Sequence, residues 1–229
     1  MSTIKDFEEV IGVSFSNASL IEQALTHRSF LNENKGDVLG HNERLEFLGD
    51  AVLELATTDR LYREYPNAPE GELTAYRAAL VNTQSLADIA EKLGVNDFMR
   101  LSKGEAKDTG RARQFILANS VEAIIGAIYL DKGYEAAEKF IADNFYPKLD
   151  EIISKRLWQD SKSAFQEKAQ EKVSITPEYK VVSEEGPDHD KTFTIAVFLG
   201  EEEVAKGSGS SKQEAEQEAA RSGLVAKGW

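Results

Sequence analysis

The feature that most constrains this chain is a change in apolar period near Leu157. Before it, apolar residues recur at three- and four-residue spacing through Ser19–Thr26, Glu43–Tyr65, Leu73–Leu93 and Ile116–Leu130, the spacing of amphipathic helices. Pro66 and Pro69 stop one of these segments, Gly94 closes another, and Asn17 stands as an N-cap before Ala18. After the change, a short helix over Ser163–Lys172 precedes three strands, Tyr179–Ser183, Thr192–Leu199 and Glu202–Gly207. Phe193, Ile195, Val197 and Leu199 alternate with smaller or polar neighbours, and Gly186–Pro187 and Gly200–Glu201 supply the turns. Helical composition returns over Lys212–Val225, where Ala215, Ala219, Ala220 and Leu224 form a packing face. The expectation is an all-α domain over residues 1–155, followed by a small α+β domain of order α-β-β-β-α over residues 156–229. Its connector is expected at Trp158–Lys162.

The chain has 229 residues, 41% of them hydrophobic, enough for a sizeable core. It has no cysteine, which excludes disulfides, thiolate metal sites and a cysteine nucleophile. The charged N-terminus MSTIKDFEEV lacks the apolar stretch of a signal peptide, and no apolar run reaches the ~20 residues needed to cross a bilayer. A cytoplasmic protein without membrane contact is expected. The net charge of −13 counts against a nucleic-acid partner, since such binders usually present a basic surface. Metal-dependent hydrolases, however, concentrate carboxylates at their sites, so local Lys and Arg placement matters more than the sum.

The segment His41–Leu55 carries the chemistry. On a helix, Glu43, Glu46 and Asp50 share one face, while Leu45, Leu48, Val52 and Leu55 point to another, toward a core. Glu122 interrupts a very apolar helix, with Asn119 one turn before it on the same side. Two readings of the acidic stripe stand: a solvated face, or a site for a hard cation such as Mg²⁺ or Mn²⁺, which takes carboxylate oxygens and needs no His or Cys. A carboxylate on an apolar helix needs a metal or a base as partner. His27, His41 and His189 are too scattered for a zinc site and are read as structural or RNA-contacting.

Asn42–Leu53, NERLEFLGDAVL, resembles the signature segment of ribonuclease III nuclease domains. ALTHRSF (Ala24–Phe30), EGELTAYRAALVN (Glu70–Asn82) and ILANSVEAIIGAIYLD (Ile116–Asp131) resemble further boxes of that family, in order. The resemblance covers essentially the whole chain. It implies a homodimeric endoribonuclease that cuts double-stranded RNA by two-metal hydrolysis, with water activated at one ion and the leaving 3′ oxygen stabilised at the other. Products would carry 5′-phosphate and 3′-hydroxyl ends, and the targets would be ribosomal RNA precursors and structured messages. It also implies that Glu46, Asp50, Asn119 and Glu122 hold the metal, with Asp50 and Glu122 catalytic. Glu43 would lie beside the site or at the dimer face. Phe47 would pack across the subunit interface, although ordinary core is the alternative for an apolar residue here. The family usually has Asp where this chain has Asn119, so one negative charge is missing.

The C-terminal domain resembles a double-stranded RNA-binding domain, which reads duplex shape through 2′-hydroxyls and phosphates. The resemblance assigns minor-groove contacts to Ser163, Gln166 and Gln170 on the first helix and to His189 in the loop GPDHDKTF. Lys212, at the start of the last helix, is assigned to a phosphate. For these side chains an ordinary solvated surface is the competing reading. Arg111 and Arg113 are candidates for RNA backbone contact beside the cut site, with a plain surface role as the alternative. Gln213 stands where the family usually has a second basic residue, and Glu214, Glu216 and Glu218 follow. Besides the active enzyme, the residues leave two other functions open: an RNA-binding protein with a nuclease site weakened at Asn119, and an acidic helical scaffold without RNA.

Overall fold

The computed structural model describes residues 3–34, 36, 39–155, 158, 160–187 and 191–229. The chain divides into two compact units, Met1–Trp158 and Gln159–Trp229.

The first unit is helical. Thr3 and Asp6 cap each other at the start of α1 (Ile4–Ile11), which ends on Gly12 at φ +68°. The Asn17 side chain caps α2 (Ala18–Ala24), accepting from the Ser19 amide at 3.2 Å. Next come α3 (Arg28–Glu33), the long α4 (Glu43–Glu64), α5 (Glu70–Leu80) and α6 (Thr83–Lys92). Two 3₁₀ turns, Val95–Asp97 and Glu105–Lys107, lead to α7 (Arg111–Lys132) and α8 (Tyr134–Ser154). α7 is the central helix. Val121, Ala123, Ile124, Ile125, Ala127 and Ile128 have no solvent exposure, and α2, α4, α6 and α8 pack around it.

Two sequence expectations need correction in this unit, and one alternative falls. The Leu73–Leu93 segment is two helices, because the Asn82 side chain accepts from the Ser85 amide at 2.9 Å and caps a new start. Leu55 is 59% exposed; the face of α4 that enters the core is Leu45, Gly49, Val52, Leu53 and Ala56. Phe47 is 81% exposed, which removes the core reading for it.

The second unit holds α9 (Ser161–Val173), β1 (Glu178–Glu185), β2 (Thr192–Leu199), β3 (Glu202–Gly209) and α10 (Lys212–Lys227). Asp160 caps α9 by accepting from the Ser163 amide, so the helix already occupies Ser161–Lys162, where a connector was expected. The strands form an antiparallel sheet in the order β1-β2-β3. Ile195, Val197 and Leu199 are buried, and Val197 and Leu199 form a core with Phe165, Ala169, Ala219 and Ala220. α10 lies close on β3: a Cβ on Gly207 would meet the Ala215 carbonyl at 2.6 Å. The periodic segments thus form the anticipated α-β-β-β-α unit.

Candidate active site and RNA-binding surface

The acidic site is built where α4 crosses α7. A Cβ on Gly49 would sit on the Glu122 carbonyl and 2.8 Å from the Gly126 amide; one on Gly126 would sit on the Leu45 carbonyl and 3.2 Å from the Gly49 amide. Only a glycine pair allows such an approach. Glycine inside a helix costs about 1 kcal/mol relative to alanine, so a glycine in the middle of each helix signals close packing. Both positions escaped the sequence reading, although that signal was present.

The start of α4 is pinned from the preceding box. Asn42 is buried; its amide group donates to the Ala24 carbonyl at 3.2 Å and its backbone N–H to the Thr26 carbonyl at 3.0 Å. Thr26 also bridges to Arg100, whose guanidinium donates to the Thr26 hydroxyl at 3.3 Å and lies 4.3 Å over the Phe30 ring. His27 caps α3, with Nδ1 accepting from the Ser29 amide, and burial holds its pKa below the ordinary value. His27 is therefore structural.

These constraints bring Glu46 and Asp50 of α4 to face Asn119 and Glu122 of α7. Burial pushes the Glu122 carboxyl up to about 7, and the charges of Asp50 and then Glu46 push in the same direction. Glu46 is also raised, by burial first and then by Glu43 and Asp50, against a hydrogen bond from Asn119 that opposes the rise. Asp50 is raised by burial and by Glu54. Among the described residues, every other carboxylate displaced from its ordinary value is displaced downward, by a lysine or by hydrogen-bond donors. Glu46 and Glu122, half-buried, and the exposed Asp50 thus form one cluster across the two helices.

Glu43 belongs to the exposed edge. Its carboxylate pairs with Arg28 at 3.4 Å, and its backbone N–H donates to His41 Nδ1 at 3.4 Å. Among the described residues no three His, Asp or Glu side chains converge into a ready-made metal cage. The donor set nevertheless suits a hard divalent ion: three carboxylates and one carboxamide, charge in excess, no thiolate. Arg111 stacks 5.9 Å from the Phe115 ring, and Arg113 carries a buried Nη1 without a hydrogen-bond partner.

In the second unit, Ser163, Gln166 and Gln170 are exposed and line one depression of about 480 Å³ along α9, with Glu167 and Glu171. Lys212 is exposed at the first turn of α10, where the Ser211 side chain caps the helix. Its ammonium lies 2.9 Å from Glu184 and 5.5 Å over the Phe193 ring. His189 lies outside the described residues.

A helical unit with an acid cluster on two crossing helices, joined to an α-β-β-β-α unit, is the architecture of a hydrolytic domain carrying a nucleic-acid-binding module. The comparisons agree. Residues 17–149 match the family described as ribonuclease-III-like, and residues 161–224 match the double-stranded RNA binding motif. Ribonuclease 3 of Natranaerobius thermophilus is 48% identical over 95% of this chain and 93% of its own length. That of Bdellovibrio bacteriovorus is 44% identical over 97% and 95%. The crystal structure of the nuclease domain of ribonuclease III from Campylobacter jejuni is 40% identical, with a TM-score of 0.56 over 63% of this chain and 97% of its own. The chain belongs to the ribonuclease III family.

Proposed function

We propose that this chain is a metal-dependent endoribonuclease that hydrolyses double-stranded RNA to 5′-phosphate and 3′-hydroxyl ends, acting as a cytoplasmic homodimer on ribosomal RNA precursors and structured messages. Residues 1–155 would cut and residues 156–229 would hold the duplex. The observation that carries this reading is the gathering of Glu46 and Asp50 of α4 with Asn119 and Glu122 of α7 at the Gly49–Gly126 crossing. Such a cluster repels a phosphodiester unless a cation neutralises it.

Mg²⁺, or Mn²⁺ in its place, would be held by Glu46, Asp50 and Glu122, with Asn119 contributing a neutral oxygen. When bound, the metal supplies charge stabilisation at phosphorus and a nucleophilic water at neutral pH. Glu122 must give up its proton to ligate, and its position near neutrality makes that transfer easy around pH 7. Asp50 sets the negative field around Glu122. Asn119 ties down Glu46, and Glu43 steadies the rim through Arg28.

Homodimer formation is supported by the outer face of α4. Phe47, Leu55 and Tyr62, 81%, 59% and 71% exposed, share that face, a grouping that marks interaction surfaces. One of the C. jejuni nuclease-domain structures is described for flexibility in a region involved in dimer formation. Two sites related by a twofold axis would let each take one strand. Among the described residues no helix is long and apolar enough to cross a membrane. Duplex binding falls to Ser163, Gln166 and Gln170 for minor-groove edges, Lys212 for phosphate, and His189 in its loop.

Replacing Glu122 by Gln tests this reading. Cleavage should fall at least about a thousandfold, the scale of losing a central group in metal hydrolysis, while duplex affinity stays unchanged. Undiminished cutting by the variant would put the metal elsewhere.

A further inference from the structure

The lysine assigned to phosphate is already occupied. Glu184, on β1, places one carboxylate oxygen 2.9 Å from Lys212 Nζ and the other 3.8 Å from Lys191 Nζ. Its geometry is anchored by strand pairing, because Glu184 stands opposite Phe193 in the β1–β2 register and Lys212 lies over that same Phe193 ring. The lysines hold the Glu184 carboxyl below its ordinary range, Lys212 foremost. The neighbouring donors are taken in the same way. Glu214 accepts from both the amide and the hydroxyl of Ser210 at 2.7 Å, on the approach to α10. Glu216 accepts from Lys162 at 2.5 Å.

We infer that Glu184 is a built-in competitor for RNA phosphate, a carboxylate that occupies Lys212 in the free protein and sets how tightly the module grips a duplex. The inference rests on the duplex-binding reading above. A phosphate reaching Lys212 must displace a carboxylate tethered on the adjacent strand, and the displaced charge stays close enough to repel it. Glu184 is exposed and its pair is screened by salt, so the effect is moderate and largest at low ionic strength. Discrimination between long duplexes and brief contacts follows, since a site that yields only to a strong polyanion rejects weak anions.

The test is duplex binding by the full chain in EDTA, followed by fluorescence anisotropy across a salt series. Glu184→Gln should tighten binding about three- to fivefold at low salt, shrinking as salt rises. Glu185→Gln removes the same charge one residue along and should change affinity less. Lys212→Gln should erase the gain seen with Glu184→Gln. A Glu184→Gln variant that binds no tighter than Glu185→Gln, or more weakly than wild type, overturns the inference while leaving duplex binding standing. Failure of the wild-type chain to bind duplex at any salt overturns both.

Discussion

Gly49 and Gly126 face each other across the α4–α7 crossing so closely that a methyl group on either would land on the other helix's backbone. This contact holds Glu46 and Asp50 against Glu122, so the geometry of the acid cluster depends on two residues with no side chain.

Gly126→Ala should therefore damage stability and activity together. The expected loss is about 1–3 kcal/mol in urea unfolding, the usual cost of overpacking a filled interior. Cleavage per folded molecule should fall as well, because the helices must part. A variant with wild-type stability and rate would show that the crossing tolerates separation and does not set the site.

Asn119→Asp restores a fourth negative charge beside Glu46 and Glu122. One charge a few ångströms away is worth on the order of 1 kcal/mol at a partly exposed site, so the metal concentration for half-maximal cleavage should drop about fivefold. Duplex binding in EDTA should not change. An unchanged or raised metal requirement would remove Asn119 from the metal's surroundings.

The Glu122 displacement predicts a pH dependence with a definite sign. Its ordinary value is 4.5, and the folded metal-free protein holds it at about 7. Between these values the folded state binds more protons than the unfolded one, so metal-free stability falls as pH rises from about 4.5 to about 7. Metal binding runs the other way, strengthening through the same window as the carboxyl ionises. Both slopes should flatten in Glu122→Gln, where only Glu46 and Asp50 remain to contribute. Parallel melting curves of wild type and Glu122→Gln, with and without Mg²⁺ from pH 5 to pH 8, would show whether they do; identical profiles would contradict the assignment.

On the proposed dimer, Phe47→Asp should shift the protein to monomer in sedimentation, since an exposed aromatic on the outer face of α4 becomes a buried charge on association. Retention of the wild-type mass would place the subunit contact on another surface.

Much of this architecture is legible in the sequence. The loss of helical period past Leu157 announced a second unit, and Ile195, Val197 and Leu199 are buried as the alternation requires, although Ala196 between them is buried as well. The acids were legible as a stripe, but not as one cluster across two helices. That property comes from Glu122 on another helix, and helix crossings are not written in single-helix periodicity. Leu55 illustrates the same limit. It fits an apolar spacing with Leu48 and Val52, yet the tight contact at Gly49 turns a different strip of α4 inward. The break before α6 was signalled by Asn82 and by the polar run 82–85, which interrupts the three- and four-residue apolar spacing. The charge of −13 misled as a total. Many acids are spent in surface ion pairs such as Glu171 with Lys168 and Lys172, or in contacts such as Glu184 with Lys212 that a sequence does not display.

The most direct measurement is cleavage of a long perfect RNA duplex by the purified chain, with Mg²⁺ titrated and EDTA as control. The account predicts discrete short duplexes with staggered 3′ overhangs, appearing only with metal and absent with a single-stranded substrate of the same sequence. Duplex binding without cleavage at any Mg²⁺ or Mn²⁺ concentration would contradict it, and would leave an RNA-binding protein with a silent site at Asn119.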